Sequence, residues 1–139
     1  MWVIDASVAV KWAVAEEDSL LAAEFIGQPL TAPDLFVTEC ANVFWHKTQR
    51  GEIDAQAAAH AMRGILAVGI DMVSAQSLVV VAMEIAHTLK HPVYDCLYVA
   101  LAEQLDCAFV TADRRFARLY RASTRENAQK RIALLNEMH

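Results

Sequence analysis

The chain has 139 residues, of which 56% are hydrophobic and 21% charged, and its net charge is −5. That length suits one domain over residues 1–139, and so apolar a composition excludes a disordered chain. No apolar run reaches the roughly 18 residues a bilayer crossing needs, and Met1-Trp2-Val3-Ile4-Asp5 lacks the basic and long apolar regions of a signal peptide, so a cytoplasmic protein with no membrane partner is expected.

Val3-Ile4 leads into Asp5 as a short apolar strand. Ser7 is placed to cap a helix through Val8, Val10, Trp12 and Val14. A second helix is expected from Asp18 to Ile26, stopped by Gly27. Leu30-Thr31-Ala32 reads as a strand, and Pro33-Asp34 open a third helix that ends near Gly51. Asp54 caps a fourth, alanine-rich helix to about Leu66, and Gly69 breaks it before the alternating Ile70-Asp71-Met72-Val73. Ser74 or Gln76 starts a fifth helix, ended by Pro92, and Tyr94–Leu105 forms a sixth. Cys107-Ala108-Phe109-Val110-Thr111 has the continuous apolar character of a central parallel strand, and Asp113 begins a seventh helix. After Tyr120, a cap at Ser123 or Thr124 predicts a final helix.

Strands alternating with helices predict an α/β fold: a helix-rich three-layer α/β/α sandwich with a short central parallel sheet and a C-terminal helix. Such folds place function at the carboxyl ends of their strands.

Charge is unevenly spread. From Thr111 onward the chain holds seven of its 12 bases but only three of its 17 acids. Arg114, Arg118, Arg121 and Arg125 share one face at helical spacing, with Arg115 beside them. This face suits an RNA backbone first, with a solvated surface and a seat for an acidic partner segment as the other readings. The cysteines Cys40, Cys96 and Cys107 make no CxxC pair and sit in apolar stretches, as buried thiols do.

Four acids stand where α/β folds place chemistry. Asp5 follows the first strand, and Asp113 lies two residues past Thr111. Glu39 and Asp95 lie on the first turns of the third and sixth helices. Taken singly, Glu39, Asp95 and Asp113 are explicable as caps or first-turn acids. Asp5 is harder to explain so, because a carboxylate ending an apolar strand needs partners. Ser7 or a metal ion would serve. Two unit charges about 4 Å apart repel by about 4 kcal/mol at an effective dielectric near 20, so a carboxylate cluster calls for protons or cations. Mg²⁺ or Mn²⁺ is the natural match for oxygen ligands and for phosphodiester hydrolysis.

These residues resemble the motifs of PIN-domain ribonucleases, and specifically of VapC-like toxins from VapBC toxin–antitoxin pairs. Val3-Ile4-Asp5-Ala6-Ser7-Val8 resembles the first motif and Thr38-Glu39-Cys40-Ala41-Asn42-Val43 the second. His91-Pro92-Val93-Tyr94-Asp95-Cys96-Leu97-Tyr98-Val99-Ala100-Leu101-Ala102 resembles the third and most specific. Phe109-Val110-Thr111-Ala112-Asp113-Arg114-Arg115-Phe116 resembles the fourth. The four occur in family order over residues 1 to about 120. The resemblance implies cleavage of single-stranded RNA with Mg²⁺ or Mn²⁺, a homodimer, and a VapB-like antitoxin. It implies Asp5, Glu39, Asp95 and Asp113 as catalytic metal-binding acids, with Ser7 and Thr111 supporting them and Asn42 orienting Glu39. Many relatives follow the fourth motif with a further strand, where this tail reads as helix.

Other features have plainer readings beside their functional ones. His46 shares a helix face with Glu39, and His87 and His91 have a zinc-like spacing but no evident third ligand. Tyr94 and Tyr98 flank Asp95 and suit base stacking or packing. The apolar faces of helices two to four suit a dimer surface or an antitoxin groove. The alternatives are a non-catalytic RNA-binding module and an RNA-processing nuclease without an antitoxin. A phosphoacceptor domain would need an acidic pair at the first strand, and a haloacid-dehalogenase-like phosphatase needs Asp-x-Asp where this chain has Asp5-Ala6-Ser7.

Overall fold

In the computed structural model, which describes residues 1–138, short apolar segments alternate with helices along the chain. The strands are β1 (Trp2–Ile4), β2 (Leu30–Pro33), β3 (Asp71–Val73), β4 (Ala108–Thr111) and β5 (Ile132–Leu134). They form one sheet in the order β3-β2-β1-β4-β5, and every adjacent pair is parallel. Val3, Ile4, Phe109 and Val110 lie at the centre of this sheet and are buried on both faces. That double burial explains why these strands read as continuous apolar runs.

Helices cover both faces, giving the three-layer α/β/α arrangement. They are α1 (Ala6–Ala9), α2 (Ser19–Ala23), α3 (Leu35–Gln49), α4 (Ala55–Leu66), α5 (Ala75–Leu89), α6 (Val93–Leu105), α7 (Arg114–Arg121) and α8 (Ala128–Arg131). Helix α6 is the most deeply set, with Cys96 to Ala102 buried without a break. Asp54 caps α4 by accepting from the Ala57 amide at 2.7 Å. Asp113 does the same for α7 through the Phe116 amide at 3.0 Å. No helix is long and apolar enough to cross a membrane among the described residues.

Three local expectations need correction. The first helix is not one run to Val14: α1 tightens at once into a 3-10 turn, Val10–Trp12. Asp5, not Ser7, occupies its cap position, and the Ser7 hydroxyl turns to the Asp5 carboxylate instead. The second helix is shorter than Asp18–Ile26, and Asp18 sits at φ 65° without a capping bond.

The C-terminal tail is not one helix. Ala128–Arg131 is α-helical, β5 follows, pairing Phe109 with Ile132 and Thr111 with Leu134, and a 3-10 turn at Leu135–Glu137 comes after it. Burial decides this. Ile132, Leu134 and Leu135 are buried in the strand and the turn after it, and β5 also covers an edge of β4 that would otherwise lack a partner. In sequence, Ile132-Ala133-Leu134 follows helix-favouring residues without a turn signal, so it reads as a continuation of the helix.

Candidate metal-binding site

The sheet order reverses between β1 and β4: from β1 the chain moves outward to β2 and β3, and from β4 to β5 on the other side. A crevice outside the carboxyl ends of the strands opens at such a switch point. Asp5 follows β1 there, and Thr111 ends β4 beside it. The Asp5 amide donates to the Val110 carbonyl at 3.2 Å, which ties the two strand ends together.

Two hydroxyls hold Asp5. Ser7 Oγ donates to Asp5 Oδ2 at 2.8 Å, and Thr111 Oγ1 donates to the same oxygen at 2.5 Å. Each hydroxyl has one proton, so both are committed to Asp5. As acceptors, Ser7 Oγ takes the Ala112 amide and Thr111 Oγ1 the Asp113 amide, each at 3.0 Å. This small network locks the end of β4 to the start of α1. It also concentrates donors on Oδ2, and among the described residues none donates to Asp5 Oδ1.

Glu39, on the second turn of α3, receives a hydrogen bond from the Tyr98 hydroxyl across the core. Tyr98 is fully buried, and burial holds its hydroxyl protonated and therefore a donor. Asp95, on the first turn of α6, pairs through Oδ2 with His91 Nε2 at 2.7 Å. Asp113 spends Oδ1 on its own helix cap.

Two of the four acids, Asp5 and Glu39, are shifted by burial and by their acidic neighbours. Burial pushes Asp5 up to about 6; the Thr111 and Ser7 hydroxyls oppose this, and the charges of Asp95 and Asp113 add to it. Burial likewise pushes Glu39 up to about 7, against the Tyr98 bond and with help from Asp5 and Asp95. Burial, then Asp5 and Glu39, push the Cys40 thiol up to about 12, so a thiolate nucleophile is excluded there.

Among the described residues, no three His, Cys, Asp or Glu side chains stand together as a preformed metal cage. Each acid is turned to a donor of its own. The donor set nonetheless fits a hard divalent ion, because it is made of carboxylate oxygens whose mutual repulsion a cation relieves.

A PIN domain model matches residues 2–122. The chain belongs to the PIN domain family. PIN domains are generally metal-dependent nucleases, RNA is the substrate the family suggests, and divalent ions are its usual cofactors. The crystal structure of PAE2754 from Pyrobaculum aerophilum is similar to this PIN domain, with a TM-score of 0.71 and 19% identity over 98% of this chain and 90% of that one. At that identity the likeness shows the fold. No curated protein matches the sequence.

Several side chains lie elsewhere than the sequence implies. Asn42 is exposed, and Tyr98 takes the place expected for it beside Glu39. Helix α7 ends at Arg121, so Arg125 leaves the basic face; it binds Glu103 through Nη2 at 2.5 Å and Glu84 through Nη1 at 2.9 Å. Arg121 is also engaged, by the Ile132 carbonyl and Glu137, both at 3.1 Å. Arg114, Arg115 and Arg118 stay exposed on α7, directly after Asp113. With the Asn136 amide oxygen turned toward it, Arg114 donates to that oxygen at 3.0 and 3.3 Å. His87 is exposed, while His91 faces Asp95, so the two form no zinc pair. The roles of Tyr98 and His91 were signalled only by their spacing from Asp95, three residues after it and four before.

Proposed function

We propose that this PIN domain is a metal-dependent endoribonuclease that cuts single-stranded RNA and serves as the toxin of a VapBC-type pair. The observation that carries the nuclease reading is Asp5 at the switch point of the sheet, held on Oδ2 by Ser7 and Thr111, where a divalent ion would relieve its buried charge. Mg²⁺ or Mn²⁺, when bound, supplies charge neutralisation and a more acidic water for attack on phosphorus. Asp5, Glu39, Asp95 and Asp113 are the residues that would hold it. Ser7 and Thr111 hold the Asp5 carboxylate in place through Oδ2, and Asp5 would be offered to the ion in that fixed orientation. Arg114, Arg115 and Arg118, on the helix that Asp113 caps, would hold the RNA backbone beside the acids.

The toxin reading rests on the motif resemblance and on two unpartnered apolar surfaces. A groove of about 480 Å³ is lined by Trp12, Ile26, Ala57, Ala61, Ile65 and Val68, between the first turns of the chain and α4. It suits an apolar antitoxin segment. Val80 and Met83 project from α5, 76% and 50% exposed, and suit a second copy of the chain.

The test uses purified, antitoxin-free protein with total RNA and millimolar Mg²⁺ or Mn²⁺. RNA should be cut, and Asp5→Asn or Asp95→Asn should leave it intact. Intact RNA with the metal-replete wild type would overturn the nuclease reading. Purification from the native host should bring down a small partner, and its absence would leave a nuclease without an antitoxin.

A further inference from the structure

One face of α6 and its entry corner carries His91, Asp95 and Tyr98, at spacings of four and three residues that align side chains along a helix. Asp95 is one of the candidate ligands, and the other two bind candidate ligands. His91 holds Asp95, and Tyr98 holds Glu39, which comes from α3, 59 residues away in sequence.

Neither bond is an ordinary helix cap. An acid on the third residue of a helix ordinarily reaches back to the amide of the cap residue. Here the cap residue is Pro92, which has no amide hydrogen, and the helix has no side-chain cap. Asp95 is therefore not a capping acid, and His91 supplies the donor the backbone lacks. The corner is built to present that donor. Lys90 takes the left-handed conformation at φ 53°, the His91 amide donates to the Ala86 carbonyl at 3.1 Å, and Pro92 restricts His91 to extended backbone. The imidazole also packs on Phe116, with centroids 5.1 Å apart.

Tyr98 makes the parallel case. Its ring stacks on Phe109 at 5.2 Å and is fully buried. Phenylalanine would fill that space without burying a hydroxyl, which is costly unless it is bonded. The partner that the hydroxyl meets is Glu39.

We propose that His91 and Tyr98 are positioning residues that aim Asp95 and Glu39 and so set the ion affinity of the site. The proposal rests on those acids forming the ion site, as argued above. Mn²⁺ binding by purified protein without RNA tests it, followed by calorimetric titration and by the rise in melting temperature. Tyr98→Phe and His91→Ala should each raise the apparent Kd for Mn²⁺ about 10–100-fold, the usual consequence of losing a group that holds a ligand. His91→Gln, which restores an N–H donor, should recover part of the loss. Should Tyr98→Phe fail to fold, the half-buried His91 variants carry the test. Mn²⁺ binding within twofold of wild type in every folded variant would overturn the proposal, as would a wild type that binds no Mn²⁺. Weakened Mn²⁺ binding in a protein whose wild type leaves RNA intact would support it while sinking the nuclease reading.

Discussion

Asp5 and Glu39 are held from inside the protein, whereas Asp95 and Asp113 are held at the starts of helices. The inner pair takes hydroxyl donors from Ser7, Thr111 and Tyr98, and burial raises both acids toward neutrality. The outer pair takes an imidazole and a backbone amide, in places where a helix favours negative charge anyway. Four identical functional groups are thus divided by what surrounds them. The inner pair works against the stability of the metal-free fold when ionised, and the outer pair fits ordinary helix starts. A bound cation would relieve most at the inner pair, because burial there disfavours the ionised form.

The largest effect expected is on cleavage. Loss of a ligand that contributes several kcal/mol of charge stabilisation corresponds to a rate loss of about 10³-fold or more. Asp5→Asn should show this in an RNA-cleavage assay and still melt cooperatively, since its amide oxygen can accept from Ser7 and Thr111. If Asp5→Asn cleaves within tenfold of wild type, the inner pair is not at the centre of the chemistry.

Metal-free stability should depend on pH with the sign set by the inner pair. Both acids have folded values above their ordinary ones, at about 6 for Asp5 and about 7 for Glu39. Their contribution is therefore complete below about pH 4 and lost as pH rises through 6 and 7. With about 2–4 °C per kcal/mol at this chain size, the melting temperature should fall by several degrees from pH 5 to pH 8. Millimolar Mg²⁺ should restore much of that loss at pH 8 and do less at pH 5, where protons already neutralise the pair. Asp5→Asn should flatten the slope. Asp95→Asn should flatten it less, because burial outranks the Asp95 charge as the cause of both shifts. A slope of the opposite sign in chelator-treated protein would refute this picture.

The two pairs also differ in how far the sequence discloses them. An acid after an apolar strand is visible as Asp5, and acids on first turns are visible as Asp95 and Asp113. Their positions follow from the strand–helix alternation, which the sheet order matches. Their partners are long-range and do not follow: Thr111 meets Asp5 across 106 residues, and Tyr98 meets Glu39 across 59. Asn42 is the natural local choice for Glu39, but packing placed the donor on α6. The tail shows the same limit. Alanine, glutamine, lysine and arginine favour helix locally, and α8 is helical, yet buried Ile132, Leu134 and Leu135 pull the next residues onto β4. The basic face shrank for a similar reason: Glu103 and Glu84 claim Arg125 through tertiary contacts that no periodicity shows.

That division of the arginines gives a smaller, two-sided effect. Arg118→Ala should weaken RNA binding and lower its salt slope by about 1, as loss of one phosphate contact does, with stability nearly unchanged. Arg125→Ala should instead cost about 1–3 kcal/mol of stability, because mostly buried Glu103 loses its cation and keeps only the Tyr120 hydroxyl at 2.7 Å. Urea melts and salt-dependent RNA binding of the two variants would separate these roles, and equal effects on both measurements would remove the distinction.

The smallest effect is expected at Asn42. It lies three residues after Glu39 on α3 and is exposed, while Tyr98 already occupies Glu39 Oε1. An exposed side chain away from any cap or network contributes within about 0.5 kcal/mol. Asn42→Ala should therefore leave melting and Mn²⁺ affinity nearly as they are, while Tyr98→Phe at the same acid lowers the affinity. Side by side, the two variants ask whether Glu39 is oriented from its own helix or from α6. A loss in Asn42→Ala equal to that in Tyr98→Phe would move the control of Glu39 back to α3 and weaken the division between an acid pair held by the core and a pair held by helix starts.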